Sequence, residues 1–347
     1  MSSVTTALLI ATLPTAYSPS DEHPPSFLSP AIHAASAVAQ KRVIIILLSR
    51  FFNKNPSVIN NIEHFAGVQR LLTYVYVQAA KEDRPLLEID VILRGLDEEL
   101  KLELDENKES IVDAVYRISG DTIVVPLPVE LLELPQIFID PGEDERSSAL
   151  SSTPSATEPP TSTSTFTVTA LGGTFDHLHS GHKILLSMSA FVTSRRIIVG
   201  VTHPSLLVRK KHVSLIEPLD TRIEKVRRFL KMFKPDLDVY DIVPIEDVYG
   251  PTAWDAEVQA LIVSKETLRG ADEIAKLRAS KSLPPLKTLV IDVISSDSSN
   301  LDDSDPEWLR KKMSSTAIRE WIAQNGQHGD SNLVITDSAE KPREAER

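Results

Sequence analysis

The stretch TALGGTFDHLHSGHKILL, residues 169–186, gathers the residue types best suited to chemistry in this chain. Gly172 and Gly173 lack Cβ atoms, so a bulky anion can approach their backbone closely. His179 and His182 form an H-x-G-H pattern at the start of a predicted helix, whose free N–H groups and dipole also favour an anion. The stretch therefore predicts a phosphate-binding turn in which two imidazoles donate hydrogen bonds to a phosphoryl group.

Two other interpretations of these histidines stay open. Both could cap the helix or fill the turn, and neutral histidine is also a common zinc ligand. Zinc is disfavoured because Asp176 is the one carboxylate of the stretch and the chain has no cysteine. We assign no role to His177. The glycines fit neither the dinucleotide G-x-G-x-x-G spacing nor a Walker A loop, since no glycine in the chain precedes a lysine.

A basic segment, VRKKHVSLIEPLDTR, follows the second strand of the same block. Residues 195–234 hold eleven Lys or Arg against three Asp or Glu, in a protein of net charge −12. We expect most of residues 222–234 to form the solvated face of a helix. Lys210 and Lys211 differ because they lie in a loop, from which they can reach an anion.

The segment KKMSSTAIR, residues 311–319, places hydroxyl side chains just before another predicted helix. Serine and threonine are good N-caps, which is the structural interpretation. The functional interpretation is that this helix start holds a second phosphate group, with Arg319 or Lys312 adding positive charge.

Strands and helices alternate around these motifs. The second block should form an α/β, Rossmann-like doubly wound parallel sheet, whose ligand crevice lies at the carboxyl ends of the strands. The first block, residues 1–140, should be a smaller α/β unit with a largely parallel sheet that includes a strand at DTIVVPLP. Its role is unknown, and His64 within it is expected to be structural or solvated.

The domain boundaries follow from composition. Fifteen of the nineteen residues from 147 to 165 are Ser, Thr or Pro, which predicts a flexible linker over 141–165. The second block then covers 166–326, and 327–347 should be a flexible tail.

Overall composition restricts the class of protein. Hydrophobic residues make up 41% of the 347 residues and charged residues 25%, as in ordinary globular proteins. The acidic net charge argues against nucleic acid as a partner. The absence of cysteine excludes disulfides and thiolate sites. No apolar run approaches the ~20 residues that a membrane helix needs. We therefore expect a cytoplasmic protein, with the nucleus as a second compartment and no membrane contact.

Together these segments resemble a known family. H-x-G-H with a downstream K-M-S-S-T is similar to the nucleotidyltransferase superfamily, which includes class I aminoacyl-tRNA synthetases and cytidylyltransferases. Five segments in order, over residues 166–325, resemble the monofunctional, fungal-type eukaryotic phosphopantetheine adenylyltransferases: GGTFDHLHSGHKILL, IIVGVTHPSLLVRKK, DVYGPT, LIVSKETLRGADEI and MSSTAIRE.

The resemblance implies transfer of the adenylyl group of ATP to 4′-phosphopantetheine, which gives dephospho-CoA and pyrophosphate in coenzyme A biosynthesis. The nucleophile would be a phosphate monoester, whose second pKa lies near ~6, so it is already largely dianionic at neutral pH. Such a reaction needs no general base and no covalent intermediate. Positioning and charge stabilisation at the α-phosphorus are enough.

The resemblance also implies roles for individual residues. Thr174 would bind the nucleophilic phosphate, His182 the α-phosphate with help from His179, and Lys210 both phosphates, with Lys211 as the alternative lysine. By the same resemblance, the residues that would bind ATP are Gly172, Gly173, Phe175, His182, Ser314, Ser315, Thr316 and Arg319. Asp247, Tyr249 and Thr252 would line the pantetheine arm. Arg278 or Arg269 would take the place of the arginine that bacterial relatives carry in an I-R-G sequence. Mg²⁺ would arrive with ATP, bound by phosphate oxygens and water rather than by protein ligands.

Two alternatives accompany this hypothesis. One is a cytidylyltransferase that acts on a phosphorylated alcohol, and the other is a non-catalytic relative with a regulatory or scaffold role. Because the chain has no P-loop, the kinase that phosphorylates dephospho-CoA should be a separate protein, and it or other coenzyme A pathway enzymes are candidate partners.

Overall fold

The computed structural model describes residues 3–14, 17–19, 24–54, 61–81, 84–100, 112–142, 165–291 and 314–325. The predicted linker core at 147–164, Lys312 and the predicted tail at 327–347 lie outside these residues. Within the described ranges, no helix combines the length and apolar character needed to cross a bilayer.

The first block contains a five-stranded parallel sheet in the order β3-β2-β1-β4-β5. Its strands are β1 (Val4–Thr12), β2 (Ala39–Leu48), β3 (Glu88–Arg94), β4 (Ala114–Ile118) and β5 (Gln136–Ile139). Its helices are α1 (Ser29–Val38), α2 (Phe65–Ala79) and the short α3 (Val129–Leu132).

The second block contains another five-stranded parallel sheet, in the order β10-β9-β6-β7-β8. Its strands are β6 (Phe166–Gly173), β7 (Thr193–Thr202), β8 (Val239–Ile245), β9 (Ala260–Ser264) and β10 (Lys287–Ile291). Its helices are α4 (Ser180–Phe191), α5 (Leu219–Phe233), α6 (Leu268–Ser280) and α7 (Ser315–Asn325).

Strand β6 has apolar residues on both faces, because helices cover the sheet on both sides. Val168 and Ala170 belong to the cluster that also contains Ile274 of α6, whereas Leu171 joins the cluster formed by α4 and α5. The α/β, Rossmann-like prediction is confirmed. β6 pairs with β7 on one side and β9 on the other, so the chain reverses its strand order at β6. Ligands of such sheets bind at the carboxyl end of this switch point.

The first block differs from its predicted strands in one place. The stretch DTIVVPLP is not a strand; the fourth strand is β4, immediately before it. Pro126 and Pro128 lack the N–H that a ladder requires, so the stretch does not pair. Val115 and its neighbours in β4 are buried and pair with β1 instead.

The two blocks are packed against each other. One continuous hydrophobic cluster contains Leu9 of β1, Leu72 of α2, Leu186 of α4 and Phe229 of α5. Helix α2 packs on α4, and α5 packs on β3. The sequence carries no clear signal of this docking, because the same apolar faces could have been buried within each block.

Candidate active site

Strand β6 brings the glycine turn to the switch point of the second sheet. Gly172 is exposed, and a Cβ built on it would meet nothing closer than 3.7 Å. A Cβ on Gly173 would lie 3.2 Å from the ring of Phe175, so this glycine lets the Phe175 ring pack beneath the turn. Gly172 is therefore accessible, although a Cβ would also fit there in ordinary contact with Gly200 and Ile245, while Gly173 shapes the loop from inside.

The loop from 174 to 179 has an unusual backbone. Phe175 and His177 both take the left-handed conformation, at φ values of 51° and 44°. Such residues cost about 1–3 kcal/mol each and persist where surrounding contacts enforce them. Here Asp176, between them, is fully buried: its carboxylate forms an ion pair with Arg319 and accepts a hydrogen bond from the Glu217 backbone N–H at 2.9 Å.

His177 is an anchor for this loop. Its backbone N–H donates to Glu217 Oε2 at 2.9 Å, and its ring Nε2 lies 2.8 Å from the backbone oxygen of Leu215. A carbonyl oxygen can only accept, so Nε2 carries the proton. The His177 side chain thus holds the loop rather than facing the open turn.

His179 and His182 form a stacked pair at the amino end of α4. Their ring centroids lie 3.9 Å apart with an interplanar angle of 25°, and Phe175 packs on His182 at 5.3 Å. Both residues are half-buried. The Nδ1 atom of each ring is buried and has no hydrogen-bond partner among the described residues. Unpaired polar atoms beside a helix start indicate a place for a polar ligand.

Both imidazoles are held in the neutral form. Burial, aided by the charge of Lys210, lowers the pKa of His182 to about 3. Burial also lowers the pKa of His179 well below its ordinary value, with smaller contributions from His182 and Lys183. Each neutral ring offers one donor and one acceptor at pH 7. An arriving polyphosphate would raise both pKa values, because a nearby negative charge favours the protonated ring.

The two lysines of the basic loop have different surroundings. Lys211 forms an ion pair with Glu320 of α7, and its backbone oxygen accepts from Arg319 Nε at 3.0 Å. The ammonium of Lys210 is exposed and has no partner in the described part of the chain. Lys210 is therefore the lysine that remains available near His182.

The start of α7 lies against the glycine-turn loop. Ser315 Oγ donates to the backbone oxygen of Asp176 at 2.8 Å, and Ser314, half-buried, precedes it. Arg319 is buried, and besides Asp176 it contacts Thr316 Oγ1 at 3.2 Å. The structure thus brings the predicted hydroxyl cluster to the loop. It commits the Arg319 guanidinium to internal bonds, so the predicted contact of Arg319 with ATP stays a prediction.

The segment DVYGPT forms a tight turn after β8. Asp247 Oδ1 accepts from the N–H groups of Tyr249 and Gly250 at 2.8 and 2.7 Å, and Gly250 has a φ of 48°. Thr252 is buried and donates to the backbone oxygen of Tyr249. Asp247 and Thr252 therefore build the turn, and the half-buried Tyr249 packs against the hydrophobic cluster of β6, β9 and α6. The predicted contacts of all three with the pantetheine arm stay predictions.

The two candidate arginines of this region lie in different environments. Arg278 is buried and donates to the backbone oxygens of Thr252, Asp255 and Pro284 at 2.7, 3.0 and 2.9 Å. It supports the DVYGPT turn from inside. Arg269 is exposed at the start of α6, directly beyond the carboxyl end of β9. Arg269 is thus accessible and the guanidinium of Arg278 is largely occupied, while the predicted role of either arginine in substrate binding stays a prediction.

Arg222 of α5 is a site residue that sequence analysis missed. It is fully buried, and its guanidinium donates to the backbone oxygens of Thr174, Thr202 and Glu217 at 2.7, 2.9 and 3.0 Å. It therefore ties together the segments after β6 and β7. The expectation of a solvated face is wrong at this position. The signal was its place on the apolar stripe of α5 with Val226, Phe229, Leu230 and Phe233.

The donors of the site suit an anion better than a metal ion. The described residues contain no group of three or more His, Asp, Glu or Cys that could hold a metal. The carboxylate of Asp176 is used by Arg319. Around the switch point lie a helix start, two imidazoles, an ammonium group and hydroxyls, of which that of Ser315 already donates to Asp176. Groups of these kinds donate to phosphate oxygens.

The similarity of this chain to known proteins lies in the same region. Residues 170–321 match the cytidylyltransferase-like family model. A phosphopantetheine adenylyltransferase of Saccharomyces cerevisiae is 48% identical over 162 residues, 47% of this chain and 50% of the relative. An uncharacterised protein of Schizosaccharomyces pombe is 42% identical over 158 residues, 45% of this chain and 48% of the relative. The chain therefore spans about half the length of these two relatives.

A shorter relative is covered more fully. A phosphopantetheine adenylyltransferase of Methanopyrus kandleri is 44% identical over 126 residues, which are 36% of this chain and 78% of the relative. This identity, over more than two thirds of the relative, shows that the two proteins belong to one family. With its glycine turn, imidazole pair and second helix start around one switch point, this chain belongs to the phosphopantetheine adenylyltransferase family.

Proposed function

We propose that this protein transfers the adenylyl group of ATP to 4′-phosphopantetheine, giving dephospho-CoA and pyrophosphate. The observation that carries the proposal is the stacked, neutral pair His179 and His182 at the amino end of α4, beside Lys210, which has no partner among the described residues, and the exposed Gly172. The names of the relatives support the choice of ATP and phosphopantetheine.

The reaction requires little of the protein beyond positioning. A phosphate oxygen of phosphopantetheine attacks the α-phosphorus of ATP. A new P–O bond forms while the bond from the α-phosphorus to the bridging oxygen breaks, and pyrophosphate leaves with that electron pair. The nucleophile is already an anion at neutral pH, so no side chain has to remove a proton.

We assign the chain's donors according to where negative charge accumulates. His182 donates to the α-phosphate as it becomes five-coordinate, and His179 supports it from the stacked position. Lys210 bridges the attacking and attacked phosphates, which would otherwise repel each other. Thr174 holds the attacking phosphate. Fixed donors of this kind stabilise a transition state without reorganising.

The remaining residues hold the ends of the two substrates. The start of α7, with Ser314, Ser315 and Thr316, receives the β- and γ-phosphates, and Mg²⁺ arrives with them as part of the nucleotide. Tyr249 lines the pantetheine arm on a turn built by Asp247 and Thr252. Arg269 supplies charge at the end of β9.

The test is pyrophosphate release by the full chain with phosphopantetheine and each of ATP, CTP, GTP and UTP. We expect release with ATP and formation of dephospho-CoA. Release with CTP and a phosphorylated alcohol, but not with ATP, would show a cytidylyltransferase. Binding of ATP without any product would show a non-catalytic relative.

The product keeps a free 3′-hydroxyl on its ribose, and we infer that a separate kinase phosphorylates it. We assign the activity to the cytoplasm, with the nucleus as a second compartment. Imaging of the tagged chain checks the compartment. Co-purification with a kinase active on dephospho-CoA checks the partner.

A further inference from the structure

A buried ion pair joins the two blocks. Lys183 of α4 is 4% exposed, and its ammonium donates to Asp90 Oδ1 of β3 at 2.6 Å and to the backbone oxygen of Ile89 at 2.8 Å. Asp90 is 2% exposed. The pair therefore lies inside the contact between the first sheet and the helix that begins with the H-x-G-H pattern.

Asp90 is itself held from within the first block. Arg42 of β2 contacts the other carboxylate oxygen, Oδ2, at 2.6 Å. Burial alone would raise the pKa of Asp90, but Lys183 and Arg42 offset it, and the pKa is lowered. The carboxylate is thus ionised at neutral pH. Buried ion pairs seldom add much net stability, but an unsatisfied partner is costly, so such a pair selects one arrangement of its elements.

The position of Lys183 connects this pair to the site. Lys183 directly follows His182 in the first turn of α4. At the other end of the helix, Asn61 Nδ2 of the first block donates to the backbone oxygen of Phe191 at 2.7 Å. Helix α4 is therefore held at both ends by the first block.

A small cleft lies at the same junction. Its volume is about 120 Å³, and it is lined from the first block by residues 84–89 and from the second by His177, His179, Ser180 and Lys183. The first block thus extends to the beginning of α4, within the immediate surroundings of the imidazole pair.

We propose that the first block is a positioning subdomain, in which Asp90 holds Lys183 and so sets the place of His182 over the glycine turn. Asp90 and Lys183 are positioning residues, since they act through α4. The kinetic consequence rests on the proposed adenylyl transfer, whereas the structural consequence for α4 does not depend on it.

The experiment compares Lys183→Met with the matched variant Arg94→Met in the full chain. Arg94 lies at the same interface and donates to the backbone oxygens of Met232 and Phe233 at the end of α5, away from the H-x-G-H turn. Both changes remove one cation from the contact between blocks, a buried one at Lys183 and a half-buried one at Arg94. We expect Lys183→Met to lower kcat at least 10-fold with KM for ATP within about 3-fold, and Arg94→Met to leave kcat within about 2-fold.

Hydrogen–deuterium exchange provides a readout that needs no substrate. We expect faster exchange at amides 180–184 in Lys183→Met and not in Arg94→Met. Asp90→Asn keeps the shape of the side chain and serves if Lys183→Met does not fold; it should show the same pattern more weakly. The proposal would be overturned if Lys183→Met and Arg94→Met changed kcat and the exchange of these amides equally. It would also be overturned if neither Lys183→Met nor Asp90→Asn changed them.

If wild-type protein releases no pyrophosphate, the proposed function fails, and the exchange data still decide whether Asp90 orders α4.

Discussion

The two sheets of this protein share one strand order and differ at their carboxyl edges. Both are parallel, and in each the first strand of the block pairs with the second and the fourth, so each has a switch point. Topology alone would place a crevice at both. Comparing the two sheets therefore separates what the strand order contributes to a binding site from what the turn residues contribute.

At the first switch point the edge is closed by the protein itself. Thr12, the last residue of β1, donates its backbone N–H to Asp121 Oδ2 at 2.8 Å, and Leu13 after it is buried. The Thr12 hydroxyl has no partner among the described residues, but it too is buried. At the second switch point, β6 ends at Gly173, beside the exposed Gly172, and the Nδ1 atoms of His179 and His182 after it have no partner among the described residues. Strand order determines where a ligand could bind, and the residues after the strand determine whether the place is free.

The largest effect should come from Arg222, which ties the segments after β6 and β7. Replacing it by methionine leaves three backbone oxygens without their charged donor, so we expect Arg222→Met to lower the free energy of unfolding by about 3 kcal/mol. Urea unfolding measures this. The control is Arg227→Met on the exposed side of the same helix. We expect this variant to change the free energy of unfolding by less than about 0.5 kcal/mol. Equal losses would contradict the role of Arg222.

The next prediction compares the effects on kcat of one substitution at the carboxyl edge of each sheet. His182→Ala should lower kcat at least ~100-fold, as expected for loss of a transition-state donor, with little change in folding. Asp121→Asn, at the closed edge, should leave kcat within about 2-fold. Steady-state pyrophosphate release measures both. Wild-type turnover in His182→Ala would remove this histidine from the mechanism.

The pH dependence of stability should also originate at the second edge. The folded-state pKa of His182 is about 3, below the unfolded value near 6.5, so the unfolded chain binds more protons between these values. Stability is then lost as pH falls below about 6.5, by about 2 kcal/mol at pH 5 from this residue. Urea unfolding of His182→Asn without nucleotide should show a flatter decline from pH 7 to 5. An unchanged slope would mean that His182 is not held neutral.

The smallest effect distinguishes the two lysines of the basic loop. Lys210→Ala should lower kcat about 10-fold, because an unpaired cation near the reacting phosphates is lost. Lys211→Ala removes a surface ion pair with Glu320 and should change kcat by less than about 3-fold. The same pyrophosphate assay compares them, and the reverse order would make Lys211 the bridging residue.

Much of the second block could be predicted from its sequence, because the relevant signals are local. The strand before Gly172, the helix after His179 and the hydroxyls before α7 are each marked by a short pattern. The partners of Arg222, Lys183 and Arg319 could not be predicted in this way, although Arg319 belongs to a recognised motif and Arg222 stands on the apolar stripe of α5. Each is a charged residue whose burial depends on partners more than 40 residues away in sequence, namely Thr174, Asp90 and Asp176. The same limit hid the docking of the two blocks.

The left-handed residues Phe175 and His177 have one more consequence. Asp176, Glu217 and Arg319 already hold this loop in place before any substrate arrives. Capture of a nucleotide should then proceed with little loss of chain entropy and with an association rate close to that of a rigid receptor. Calorimetry would register such binding as a small change in heat capacity beyond the surface that the nucleotide itself covers.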